Sequence, residues 1–169
     1  MKKPIRRTNN TILMAVEGYT EEAFIRHLKS IYCGRDSFIS LTIKNAKGKG
    51  PEGIVDAIKA AKRTGDYNLV GAVFDGDIQT SAEVDKWLNA NKVARFISTP
   101  SIEATLLSVH ALKLGKTTKD CKDLLINALR GDPTEESFYV KHFPDHIVER
   151  GRMSASCLND LIIFISRKA

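Results

Sequence analysis

Cysteine is scarce in this sequence. Cys33, Cys121 and Cys157 lie far apart, and none belongs to a C-x-x-C pair. That pattern argues against a zinc module and a disulfide framework, and free thiols in a reducing cytosol account for it. Long apolar runs are lacking too. The longest one near the C-terminus, Leu161 to Ile165, is far too short to span a bilayer. Met1 to Asn10 is basic and polar with no apolar stretch behind it, unlike a signal peptide. The expectation is a cytoplasmic chain with no membrane partner. No repeat or low-complexity tract is present. The G-x-x-x-x-G-K-[ST] pattern of a nucleotide P-loop is absent. His110, His142 and His146 are spaced too irregularly to make a metal set.

What is present suits a single α/β domain. A chain of 169 residues, 43% apolar and 27% charged, can bury a substantial core. Its net charge of +6 suits an anionic partner, of which nucleic acid is the commonest, although a merely soluble basic protein has the same balance.

Residues 1–10 read as a mobile basic arm. Thr11 to Val16 is an unbroken apolar run ending at Glu17-Gly18, as expected of a strand buried on both faces. Thr20, followed by Glu21 and Glu22, reads as a helix start, and Phe24, Leu28 and Ile31 continue it to about Tyr32. Phe38 to Ile43 alternates as a second strand. A glycine- and lysine-rich loop to Gly50 follows, and then a helix opened by Pro51. Leu69 to Phe74 is the third strand, closed by Asp75-Gly76-Asp77. Thr80 or Ser81 caps the next helix, Val93 to Ile97 is the fourth strand, and a helix follows Pro100-Ser101. Strands alternating with helices predict a Rossmann-like parallel sheet of about four strands over residues 11–113. Residues 114–169 lose the strand pattern. They predict a helical extension, with helices at Leu124–Leu129, Glu135–Val140 and Ser154–Ser166, packed on the same domain.

The acidic residues fall at informative places. Glu17 ends the first strand; Asp75 and Asp77 end the third. Ligands of open parallel sheets bind outside the carboxyl ends of the strands, and first and third strands are commonly neighbours. Three carboxylates gathered there repel one another unless a cation neutralises them. An all-oxygen donor set selects one or two hard ions, Mg²⁺ or Mn²⁺, over zinc. Asp75-Gly76-Asp77 alone would equally suit a solvated turn; the Glu-Gly turn after an earlier apolar strand makes the combination rarer. Lys44, Lys47 and Lys49 lie at the carboxyl end of the second strand, on the same edge, and suit phosphate binding. Arg150 and Arg152 are candidates to extend that basic track.

Glu17-Gly18 after one apolar strand and Asp75-x-Asp77 after a later one resemble the Toprim domain of topoisomerases, bacterial primases and OLD-family nucleases. Glu21, four residues after Glu17, and Ser101-Ile102-Glu103, after the fourth strand, are similar to the OLD-like branch. The stretch from Thr99-Pro100 to His110 is similar to RloB-like Toprim proteins. The resemblance implies that Glu17, Asp75 and Asp77 hold one or both metals, that Glu21 and Glu103 complete a second site, and that Ser101 orients a ligand or water. Read alone, Glu21 and Glu103 also suit the positive end of a helix dipole. The branch carries a lysine C-terminal to its core; Lys141 is the candidate, with Lys116 and Lys119 as rivals. The implied activity is metal-dependent cleavage of DNA or RNA, in phage defence for example, with any ABC-type ATPase a separate subunit. Two alternatives stay open: a non-catalytic nucleic-acid-binding or regulatory subunit, and another phosphoryl- or nucleotidyl-transfer enzyme. A primase zinc module and a second domain presenting a nucleophilic tyrosine are both missing.

Overall fold

The computed structural model describes residues 10–167. The basic arm expected over residues 1–10 therefore lies outside the described residues, apart from Asn10. That residue opens β1 (Asn10–Val16), which is followed by α1 (Tyr19–Tyr32), β2 (Ile39–Asn45), α2 (Gly50–Lys62), β3 (Leu69–Asp75), α3 (Ala82–Ala90), β4 (Ala94–Ser98) and α4 (Ile102–Val109). The four strands are parallel and run in the order β2-β1-β3-β4. Four helices complete the chain: α5 (Thr118–Leu129), α6 (Glu136–His142), α7 (Asp145–Gly151) and α8 (Ser156–Ile165). This is the α/β, Rossmann-like arrangement with a helical extension that the strand–helix alternation predicts.

Period-two alternation divides β1 between two cores. Ile12, Met14 and Val16 face Phe24 and Leu28 of α1, together with the extension. Leu13 and Ala15 face Ile54 and Ile58 of α2 and Leu88 of α3. The sheet is thus covered on both sides, which is why its strands read as unbroken apolar runs. One glycine sets how closely the extension approaches. A Cβ on Gly71 of β3 would lie 2.9 Å from the Phe164 ring of α8, 3.0 Å from Phe96 and 3.1 Å from the Met14 methyl.

The structure corrects two local readings and adds one helix. The residue preceding α1 is Gly18, so Thr20 lies inside the first turn instead of capping it. Glu21 satisfies that turn by accepting the Gly18 N–H at 3.1 Å. Helix α5 starts six residues before the apolar pattern does, at a reciprocal cap in which Thr117 Oγ1 accepts from the Asp120 N–H and Asp120 accepts from the Thr117 N–H. Helix α7, the seven residues Asp145–Gly151, stands where no helix is expected from the sequence.

Candidate functional site

The chain order of the strands reverses between β1 and β3, because β1 leads outward to β2 and β3 outward to β4. A crevice outside the carboxyl ends of the strands at such a point is where open α/β sheets take their ligands. Glu17 is the first residue beyond β1, Asp75 the last of β3, and Asp77 lies two residues on. Helices α1 and α4 both begin at this edge and carry Glu21 and Glu103 in their first turns. Ser101 precedes α4 and is fully buried.

The charges of these five carboxylates act on one another. Burial, followed by the charges of Glu21, Glu103 and Glu17, pushes Asp75 up to about 8, against the opposing effect of a backbone N–H donated by Ile102 at 3.1 Å. Burial, with Glu103 and Glu17 beside it, raises Glu21 despite the backbone N–H groups it accepts from. Burial and then the charge of Asp77 raise Glu17. Four of the five carboxylates have a local donor: Ile102 N–H for Asp75, Gly18 N–H for Glu21, Ser101 Oγ at 2.6 Å for Glu103, and the Thr118 hydroxyl for Asp77. Glu17 Oε2 is out of solvent with no partner among the described residues.

The turn after β3 is stitched to the turn after β4. The Gly76 N–H donates to Ser98 O at 2.7 Å, and the Asp77 N–H to Pro100 O at 3.2 Å, beside a cis Thr99–Pro100 bond. A Cβ on Gly76 would fall 2.5 Å from Thr99 Oγ1, so only glycine fits between the two acids.

The lysine loop is fastened to the same place. Ala46 N–H donates to Val16 O and Gly48 N–H to Glu17 O, both at 2.8 Å. Lys47 and Gly48 adopt left-handed backbone conformations, with φ of 56° and 71°. Lys44, Lys47 and Lys49 are all exposed.

Other sequence candidates lie elsewhere. Lys141 is exposed on α6, and among the described residues no ion pair joins it to the carboxylates. Its helix reaches the site through Tyr139 instead. That fully buried side chain donates its hydroxyl to Thr20 O at 3.2 Å, and burial, with the charges of Glu21 and Glu103, holds it well above the usual phenol range. Arg152 pairs with Glu149 at 3.1 Å and donates to Asn159 at 3.0 Å. Glu149 in turn accepts from Tyr32, at the end of α1 roughly 20 Å from its start. The charge of Arg150 acts on His110, at the C-terminus of α4. Both arginines thus stand at the far ends of helices that begin at the carboxylates. Lys116 and Lys119, by contrast, flank Thr118, which holds Asp77. Thr118 and Tyr139 are the two contributors that the sequence does not announce. The capping pattern at Thr117 was readable, but its proximity to Asp77 comes from tertiary packing.

Among the described residues no group of three or more His, Cys, Asp or Glu side chains is arranged to hold a metal ion. The donor chemistry nevertheless fits a hard divalent cation: all oxygen, mutually repelling, with the orphaned Glu17 oxygen among the donors. As placed, four of the five carboxylates accept from hydrogen-bond donors of the protein itself. Comparison with protein-family models, curated proteins and solved structures returned no match.

Proposed function

We propose that this chain is a metal-dependent nuclease that hydrolyses phosphodiester bonds in nucleic acid. The observation that carries the reading is the set of five mutually acting carboxylates at the reversal point of the sheet, with Asp75 pushed up to about 8. Such a gathering opposes folding unless a cation relieves it, and its place is where substrates bind in this architecture. Glu17, Asp75 and Asp77 would hold Mg²⁺ or Mn²⁺, with Glu21, Glu103 and Ser101 completing the shell. One or two such ions activate water and neutralise charge on the reacting phosphate. The protein's own part is to hold the strand: Lys44, Lys47 and Lys49 bind backbone phosphates beside Glu17, and Lys116 and Lys119 join Lys141 as candidates to face developing charge. An ABC-type ATPase, where one is required, is a separate subunit.

A second reading, a non-catalytic nucleic-acid-binding subunit, is favoured by one observation: no three carboxylates are arranged for metal among the described residues. The discriminating experiment incubates purified protein with plasmid, single-stranded DNA and tRNA, with and without Mn²⁺. Cleavage that needs Mn²⁺ and is lost in Asp75→Ala supports the nuclease. Cleavage that survives Asp75→Ala in a preparation free of contaminating nuclease overturns this mechanism. Binding without cleavage, with a partner ATPase supplied, selects the second reading.

A further inference from the structure

The first turn of α1 carries an aromatic ring that the fold does not use. Tyr19 is 60% exposed, and its side chain makes no hydrogen bond or ring–ring contact among the described residues. It forms one wall of a cavity of about 270 Å³, between the start of α1 and the segment leading into α6. The other walls are Glu22, Ala23, Arg26, Thr134 and Glu136. This lining suits a flat heteroaromatic ring. A tyrosyl face and a guanidinium plane both stack on bases, the Ala23 methyl adds apolar contact, and Thr134 and Glu136 offer polar groups to a ring edge. The volume falls just below the roughly 300–1,000 Å³ of sites that enclose whole small ligands, so it accommodates a base and leaves sugar and phosphate outside.

Its position decides what such a base would belong to. Glu22 lines the cavity, accepts from Asn45 Nδ2 at 2.7 Å and is acted on by the charge of Lys47. Glu22, which also pairs with Arg26 at 2.6 Å, therefore links the cavity to the lysine loop. The same loop donates its Gly48 N–H to Glu17 O, which ties it to the first carboxylate. The cavity wall at Tyr19 is two residues from Glu17, so cavity, lysine loop and acidic cluster meet around the start of α1. A nucleic-acid strand has the matching layout, with a base to one side and successive phosphates along a line. In a duplex the bases are stacked and paired, and none reaches a side cavity without being flipped out.

We infer that the Tyr19 cavity receives an unpaired nucleobase, so that the substrate class is single-stranded nucleic acid or a strand with an unpaired base beside the scissile phosphate. The inference deepens the nuclease reading and rests on it only for which phosphate is cut; base capture itself needs no cleavage.

The test is fluorescence anisotropy in EDTA, where no metal-dependent cutting occurs, with a labelled 15-nucleotide single strand and the same sequence as a blunt duplex. The wild type is expected to prefer the single strand. Loss of one base–aromatic stack in Tyr19→Ala should weaken single-strand binding about tenfold and leave duplex binding unchanged. Tyr19→Phe should retain wild-type affinity, since the ring face and not the hydroxyl is used. Equal single-strand affinity in wild type and Tyr19→Ala overturns the inference. So does an equal loss for both forms, or a wild type that prefers duplex or binds neither form. Melting temperatures should match, because Tyr19 is exposed; if Tyr19→Ala misfolds, Tyr19→Leu, which keeps an apolar side chain without a ring face, takes its place and should show the same loss. A wild type that binds as expected but never cuts with Mn²⁺ sinks the nuclease reading and leaves the cavity's role standing.

Discussion

Asp75→Asn removes one negative charge from the acidic cluster while keeping the oxygen that accepts the Ile102 N–H. The structure pushes Asp75 from 3.8 up to about 8, through burial first and then through Glu21, Glu103 and Glu17. Between those two values the folded protein holds a proton that the unfolded chain has released. Stability must therefore fall as pH rises across that window. At face value the shift corresponds to a ceiling of roughly 5–6 kcal/mol. Asp75 is only partly buried, so screening brings the working figure to about 2 kcal/mol. For a chain of this size, 1 kcal/mol moves the melting temperature by roughly 2–4 °C. In EDTA, about 70% of that window lies above pH 5, so the advantage of Asp75→Asn over wild type should grow by about 3–6 °C between pH 5 and pH 8.5. Taking the difference between the two proteins cancels other groups, including His110 and His142, whose pKa values burial lowers and whose effect on stability therefore runs the other way. Adding Mg²⁺ or Mn²⁺ should stabilise the wild type by about 2.7 kcal/mol at one hundred times the dissociation constant, and so raise its melting temperature. It should leave the Asp75→Asn, Asp77→Asn double variant unmoved. Wild-type and Asp75→Asn curves that stay parallel from pH 5 to 8.5 would refute the reasoning outright.

Gly71→Ala drives a methyl into Phe164, Phe96 and Met14 and should cost about 1–3 kcal/mol in urea unfolding, with Gly71→Val worse. Gly76→Ala meets Thr99 Oγ1, so it should blunt the metal-induced rise in melting temperature; Thr99→Ala in the same chain should restore it in part. Tyr139→Phe removes the hydroxyl that donates to Thr20 O and should cost about 1 kcal/mol without altering nucleic-acid affinity in EDTA. Neutralising Lys47 and Lys49 should weaken nucleic-acid binding and flatten its salt dependence by about one unit of slope per lost phosphate contact, whereas Arg152→Ala should leave the slope unchanged.

The strands and the acids at their ends were legible because both follow from local pattern. A strand covered by helices on both faces must be apolar throughout, and the first polar residue beyond it marks the edge of the sheet. Glu17 and Asp75 could be placed on that basis alone. The extension was harder because its helices are short and fixed by partners remote in sequence. The first two turns of α5 are polar apart from Cys121 and show no apolar period, and α7 is only seven residues long. Arg152 looked like part of a basic track because sequence proximity to Arg150 and Gly151 says nothing about which end of α1 it meets. Tyr139 was visible only as an aromatic near Lys141. Helical periodicity already set the two on different sides of α6, and the buried one is the tyrosine.

The position of Tyr139 bears on how the cluster holds together without a cation. The N-termini of α1 and α4 point their free N–H groups at the carboxylates, and two of those groups are used, from Gly18 to Glu21 and from Ile102 to Asp75. The remaining restraint comes from the extension. Tyr139 pins the Thr20 carbonyl in the first turn of α1, Thr118 holds Asp77, and Cys121 of α5 packs near enough to Glu103 for that charge to raise its thiol, after burial. Three of the five acids are therefore contacted or flanked by residues beyond 113. The sheet supplies the positions of Glu17 and Asp75, but the extension keeps like charges together at the carboxyl edge. Residues 11–113 alone would carry every carboxylate of the candidate centre and lack much of what opposes their repulsion, so the helical extension belongs to the site as much as to the core.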